Sequence, residues 1–130
     1  MASSNTNRKV QTKLSGGPLD IPIVDTLYQT YGSWNELLIK FPKSQRYTLG
    51  EVCQRELLAT LEAVIAAAGT NQSAIKTDQL RIASAKIDLL RLLVRLAKDC
   101  KCLTNQAYLG LESQLHEAGR MLGGWMKSLQ

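Results

Sequence analysis

Between Leu80 and Ala97 the apolar residues Leu80, Ala83, Ile87, Leu90, Val94 and Ala97 recur at alternating steps of three and four. This is the period of a helix packed along one side, and it excludes a strand, whose faces alternate every second residue. Ile82, Leu89, Leu93, Leu96 and Cys100 lie beside the seam. At about 100° per residue they widen the apolar arc to roughly half the helix circumference. The other half carries Arg81, Asp88, Arg91, Arg95 and Lys98. Positions 91, 95 and 98 share one face within two turns, so the fields of three cations add there, with Asp88 as the nearby acid.

A helix with so wide an apolar arc needs neighbours, and the rest of the chain supplies them. Val24, Leu27, Tyr31, Trp34, Leu38 and Phe41 repeat the three-four alternation up to Pro42. Pro18 and Pro22 bracket a turn before it, with Asp20 or Asp25 placed to meet the positive end of the helix dipole. Thr48 and Glu51 have the spacing of a capping box, predicting that a second helix opens there, runs through Leu57, Leu61, Val64 and Ile65 to Ala68, and stops at Gly69. Thr77 is the predicted N-cap of the third helix and Thr104 that of the fourth. The fourth carries Tyr108, Leu111, Leu115, Ala118, Leu122, Trp125 and Leu129. The expected fold is all-α, an up-down-up-down four-helix bundle over residues 18–130. Residues 1–17 are Ser, Asn, Thr, Lys and Gly with few large apolar groups, and read as a mobile basic tail.

With 130 residues the chain suffices for one domain with a hydrophobic core and no staples. Its 16 Lys and Arg against 11 Asp and Glu give a net charge of +5. Seven of the cations and three of the acids fall within residues 71–103. A basic surface of this kind favours polyanions, with nucleic acid ahead of acidic protein surfaces and membrane headgroups. Three cysteines, Cys53, Cys100 and Cys102, suit a reducing cytoplasm better than a disulfide framework, and the Cys-x-Cys pair lacks the second pair or histidines of a metal site. No run approaches the roughly 18 apolar residues of a membrane span, and no signal-peptide core is present, so a cytoplasmic protein is expected. Phosphate-cradling glycine loops, paired catalytic carboxylates and nucleophile motifs are missing, and His116 stands alone, so neither enzyme activity nor a cofactor is expected.

Two segments are more specific. Phe41-Pro-Lys-Ser-Gln-Arg46-Tyr-Thr-Leu-Gly50 joins the first two helices, and Gly119-Arg-Met-Leu-Gly-Gly-Trp125 lies near the end. Together they resemble the four-helix-bundle family that includes the accessory variability determinant (Avd) of diversity-generating retroelements and the proteins encoded in intervening sequences of bacterial 23S rRNA genes. The resemblance covers residues 28–127. Trp34 in the first helix and the run from Leu90 to Ala97 look more like Avd than the rRNA-linked branch. An Avd-like protein implies a homopentameric barrel of bundles that associates with a retroelement reverse transcriptase, binds RNA or DNA, and supports mutagenic copying of template RNA into cDNA without catalysis of its own. The shared motifs are structural joints and transfer no binding residue.

The binding residues are therefore read from physics. Arg81, Arg91, Arg95 and Lys98 are candidate phosphate contacts, the arginines being better suited to bidentate contacts, and the bland alternative is a solvated helix face. Arg46 and Lys43 in the joint are further candidates, although Arg46 is better placed to hold the loop through carbonyls or Glu51. Trp34, Lys86, Leu89, Leu93 and Trp125 are expected at a subunit interface, with Lys86 snorkelling. Gly123-Gly124 predicts close approach of another helix backbone. Competing with nucleic-acid binding are an oligomeric scaffold that docks an acidic protein patch and a protein that binds structured rRNA.

Overall fold

A computed structural model describes residues 17–130. The expected basic tail therefore lies outside the described residues except for Gly17. After a 3-10 turn at Pro18–Asp20, four long helices follow: α1 (Pro22–Leu38), α2 (Glu51–Ala68), α3 (Ser73–Asp99) and α4 (Asn105–Ser128). Each packs against its chain neighbour, and α1 closes the ring against α4. Polar pairs fix the antiparallel registers. Gln54 Nε2 donates to Tyr31 Oη (2.9 Å) between α1 and α2, Lys86 Nζ to Glu56 Oε1 (2.9 Å) between α2 and α3, and Gln114 Nε2 to Ser33 Oγ (3.3 Å) between α1 and α4.

The seams predict the core well. All six seam residues of α3 are buried, as are Leu111, Leu115, Ala118 and Leu122 of α4. The core has two lobes along the bundle. One gathers around Leu27, Val64, Leu80 and Leu122, the other around Trp34, Leu57, Leu90 and Leu115. Thr30 and Thr60 are the buried polar residues, and each hydroxyl donates to the carbonyl four residues back at 2.7 Å, which satisfies it. Tyr31, Leu38, Leu61, Tyr108, Trp125 and Leu129 are only half-buried, and Ile65 is exposed.

Several local expectations are corrected. Thr48 and Glu51 form no capping box. The chain is already helical from Lys43, passes through a wide π-helical turn at Arg46–Gly50 and runs straight into α2, so Thr48 never adopts the extended backbone an N-cap needs. Its hydroxyl is instead within 3.3 Å of the Ser44 carbonyl oxygen. Gly50 suits the close approach here, because a Cβ would push aside the end of the Leu38 side chain and stand 3.4 Å from the Gln45 carbonyl oxygen. Thr77 is not the cap of α3, which begins a turn earlier at Ser73 because nothing in Ser73-Ala-Ile-Lys76 breaks a helix. Thr104 does cap α4, its hydroxyl accepting the Ala107 amide at 3.1 Å.

Trp34 is not at the protomer surface. It is 1% exposed, packs edge-on against Phe41, and donates through Nε1 to the Gly50 carbonyl oxygen at 3.3 Å. Lys86 is not a free snorkelling cation but is paired within the chain with Glu56. Gly123 and Gly124 have no neighbour among the described residues within 4 Å of where a Cβ would stand, so no described helix approaches them closely.

At the end of α3 the Lys101 amide bonds the Lys98 carbonyl and the Cys102 amide reaches back to Ala97 O at 2.8 Å. This places Lys101 in the left-handed conformation, with φ 64, where glycine is the usual residue. A side chain costs about 1 kcal/mol there. Next to it, Cys100 is exposed while Cys102 and Cys53 are buried, and burial pushes the Cys53 thiol up to about 12 and the Cys102 thiol above its ordinary value. At pH 7.5 N-ethylmaleimide should therefore modify Cys100 rapidly and the other two only as the chain opens, because the thiolate is the reactive form. Equal labelling of Cys53 and Cys100 in native protein, read by peptide mass spectrometry, would contradict this core.

Candidate nucleic-acid interface

Of the α3 cations, Arg91 and Lys98 lie against α4, through Glu112 and the Tyr108 ring, whereas Lys86 is paired on the α2 side. Ion pairing and ring contacts decide how available each one is. Arg91 donates from both Nε and Nη2 to Glu112 Oε1 of α4 at 2.7 Å, so Asp88 is not the only acid that tempers it. Its side chain remains 44% exposed, enough to meet a ligand as well. Solvent-exposed pairs of this kind are worth about 0–1 kcal/mol and break readily for a competing phosphate. Arg81 lies 3.9 Å from Asp78 in an open contact. Lys98 sits over the Tyr108 ring, its Nζ 4.9 Å from the centroid, which holds the ammonium at the α3–α4 edge. Arg95 is exposed and takes part in no ion pair among the described residues.

Folding adds residues that the α3 pattern alone does not reveal. A groove of about 300 Å³ between α3 and α4 is lined by Ser84, Asp88 and Arg91 on one side and by His116, Gly119 and Arg120 on the other. Arg120 is tied to Glu117 of its own helix through both Nε and Nη2, and that hydrogen bonding holds the Glu117 carboxyl below its usual range. Arg91, His116 and Arg120 thus share one concave surface. The signal for this is the antiparallel register of α3 on α4, which pairs Arg91 with Glu112 and Ile87 with Gly119. Periodicity on a single helix does not give that register.

The joint candidates separate. Arg46 Nη2 donates to the Ile39 (2.7 Å) and Phe41 (3.3 Å) carbonyl oxygens, closing the C-terminal end of α1 as the loop-holding reading expects, with no bond to Glu51. Its guanidinium is engaged there and is not brought to the α3–α4 groove. Lys43 is exposed at the start of the same joint.

Opposite the cations, α3 carries a second face. Ile75, Ile82, Leu89 and Leu96 repeat every seven residues and are 40–45% exposed. Ile82 and Leu89 lie one turn either side of Lys86, whose pairing with Glu56 marks this as the α2 side of the helix. Leu93 is half-buried against the core, and Trp125 packs at the far end of the bundle with Lys76 Nζ 5.7 Å from its ring. Of the residues expected at an interface, Leu89 lies on this ridge, Lys86 and Leu93 flank it, and Trp34 and Trp125 lie elsewhere.

A four-helix bundle with this joint and ending matches a known family model, described as bAvd-like, over residues 24–129. The chain belongs to the bAvd-like family. The family match spans all four long helices and the joint. Among solved structures, the chain is similar to a protein of unknown function from the S23 ribosomal protein family of Bacteroides thetaiotaomicron, with a TM-score of 0.74 at 14% identity, covering 81% of this chain and 95% of that one. At that identity the likeness concerns the fold. No curated protein sequence matches the chain. No helix among the described residues is long and apolar enough to cross a membrane.

Proposed function

We propose that this protein is a non-catalytic accessory protein of a diversity-generating retroelement, which binds nucleic acid along the α3–α4 face and associates with the reverse transcriptase during copying of template RNA into cDNA. Membership of the bAvd-like family supports the retroelement setting. The observation that carries the binding surface is Arg95, exposed and without an ion-pair partner among the described residues, on the same face of α3 as Arg91 and Lys98, with Arg91 itself lining the groove that holds His116 and Arg120. Guanidinium groups along such an edge meet successive phosphates, and binding of this type releases counterions and weakens steeply with salt. No aromatic ring is exposed along this edge of α3, and the Tyr108 ring lies under Lys98, so base stacking contributes little and sequence preference is slight. The proposed assembly is a homopentamer in the cytoplasm, which would multiply the basic face fivefold; the uncovered apolar ridge of α3 supports self-association.

Replacing both Arg91 and Arg95 by Ala should weaken binding to a labelled RNA or DNA by roughly tenfold or more at low salt, with a salt slope shallower by about 0.9 for each phosphate that is no longer neutralised. Arg95→Ala alone is the cleaner variant, because removing Arg91 also strips Glu112 of its partner. Helix content and assembly mass should be unchanged in both. Wild-type affinity and slope in both variants would remove the α3–α4 face as the binding surface. Wild-type protein that ignores naked nucleic acid yet retains an acidic protein would favour the scaffold reading instead.

A further inference from the structure

The structure holds a second cation-lined site, at the end of the bundle where α1 and α3 finish and α4 begins. A cavity of about 480 Å³ lies there, walled by Leu37, Leu103 and the Thr104–Asn105 start of α4, and lined by Lys40, Lys98 and Lys101. No acidic residue lines it, and none of the three lysines forms an ion pair among the described residues. The volume is that of a small-ligand site and well above what a single monovalent ion fills. Three lysines line one cavity with no carboxylate among its lining residues, an arrangement that favours a multiply charged anion there.

The backbone singles out Lys101. It occupies a left-handed position where glycine is free of penalty, so the lysine side chain is held there at a cost to stability. Lys98 is steadied over the Tyr108 ring, which fixes the direction of its ammonium. Lys40 comes from the turn after α1. We propose that this end cavity is a polyphosphate-binding site, in which Lys40, Lys98 and Lys101 receive adjacent phosphate groups carried by a nucleotide or by a nucleic-acid strand. Lys98 thus lies between this site and the Arg91–Arg95 face, but the end cavity binds its ligand whether or not that face binds nucleic acid.

The test is a titration of the full-length protein with inorganic pyrophosphate, followed by calorimetry and by amide chemical shifts. The wild type should bind saturably, with the largest shifts at residues 101–105. Lys101→Gly should lose affinity by at least tenfold while its Tm rises by about 4 °C, since a one-lysine loss combined with relief of the left-handed side chain moves the two readouts in opposite directions. Lys40→Gln should lose affinity similarly at unchanged Tm. Non-saturable binding, or full affinity in both Lys101→Gly and Lys40→Gln, would overturn the site, and either result leaves the α3–α4 face to be judged by its own variants. Competition of bound pyrophosphate by 5′-triphosphorylated against 5′-hydroxyl RNA then assigns the source. Preference for the triphosphate marks a strand end or free nucleotide as the ligand, and equal competition marks the strand backbone.

Discussion

Trp34→Ala should lower the free energy of unfolding by about 3–5 kcal/mol, the usual cost of emptying a large aromatic site in a core. Trp34 is 1% exposed and ties three parts of the chain together. Its ring meets Phe41 edge-on with centroids 5.2 Å apart, and its Nε1 donates to the Gly50 carbonyl oxygen at the end of the π-helical turn. Truncation would leave a cavity in the lobe around Leu57, Leu90 and Leu115, remove the side-chain bond to the Gly50 carbonyl, and free the joint from the end of α1. Against a total stability of about 5–15 kcal/mol for a domain of this kind, the variant should unfold at a far lower denaturant concentration. Trp34→Phe separates the contributions. It keeps most of the packing and loses the hydrogen bond, so its cost should be about 1–2 kcal/mol. Chemical denaturation followed by circular dichroism reads both variants. A loss below about 1 kcal/mol in Trp34→Ala would show that Trp34 does not hold the joint.

The same tryptophan shows what the sequence conveys and what it withholds. The three-four seams identify the buried stripe of each helix, and on α3 they do so for every residue, because burial of one stripe is what that period measures. Trp34 belongs to the α1 seam, and only its size argues for an interface; the two-lobed core has room for it beside Phe41. Periodicity carries no information on how helices are rotated and registered against one another. For that reason the Arg91–Glu112 pair, the Lys86–Glu56 pair and the entry of Arg120 into the α3–α4 groove are not legible in the sequence. Local signals fail where tertiary packing overrides them. The Thr48–Glu51 spacing is that of a cap, but the preceding residues continue as helix and leave no free amides to cap. Lys101 gives no signal at all, since the Schellman-type end of α3 is normally announced by glycine and here carries a lysine. Gly123 and Gly124 face open space among the described residues, and nothing there explains them.

Leu89→Glu combined with Ile82→Glu should reduce the assembly to a single chain while leaving the bundle folded. Ile75, Ile82, Leu89 and Leu96 form a seven-residue ridge along most of α3, each still 40–45% exposed, with Leu92 at 65%. A seven-residue ridge stays in register with a partner helix over several turns, which scattered surface leucines do not. The core is already complete beneath it, because the six seam residues of α3 are buried without help from the ridge. Substituting the ridge therefore spares the fold. A carboxylate introduced into an apolar contact must be desolvated without a partner, at a cost of several kcal/mol for each copy, and a closed ring incurs that cost at every contact. Lys86, the cation between the two substituted positions, is already paired with Glu56. Light scattering behind size exclusion reads the result. The wild type should elute near five subunits and the double variant as one, with the helical signal unchanged, whereas Ile82→Ala with Leu89→Ala should shift the equilibrium only partway. A double glutamate variant that keeps the wild-type mass would place the subunit contacts elsewhere, and a monomeric wild type would remove the pentamer itself. On the proposed function, loss of assembly should also weaken binding of long nucleic acid far more than binding of short fragments, because a ring would present several basic faces to one strand.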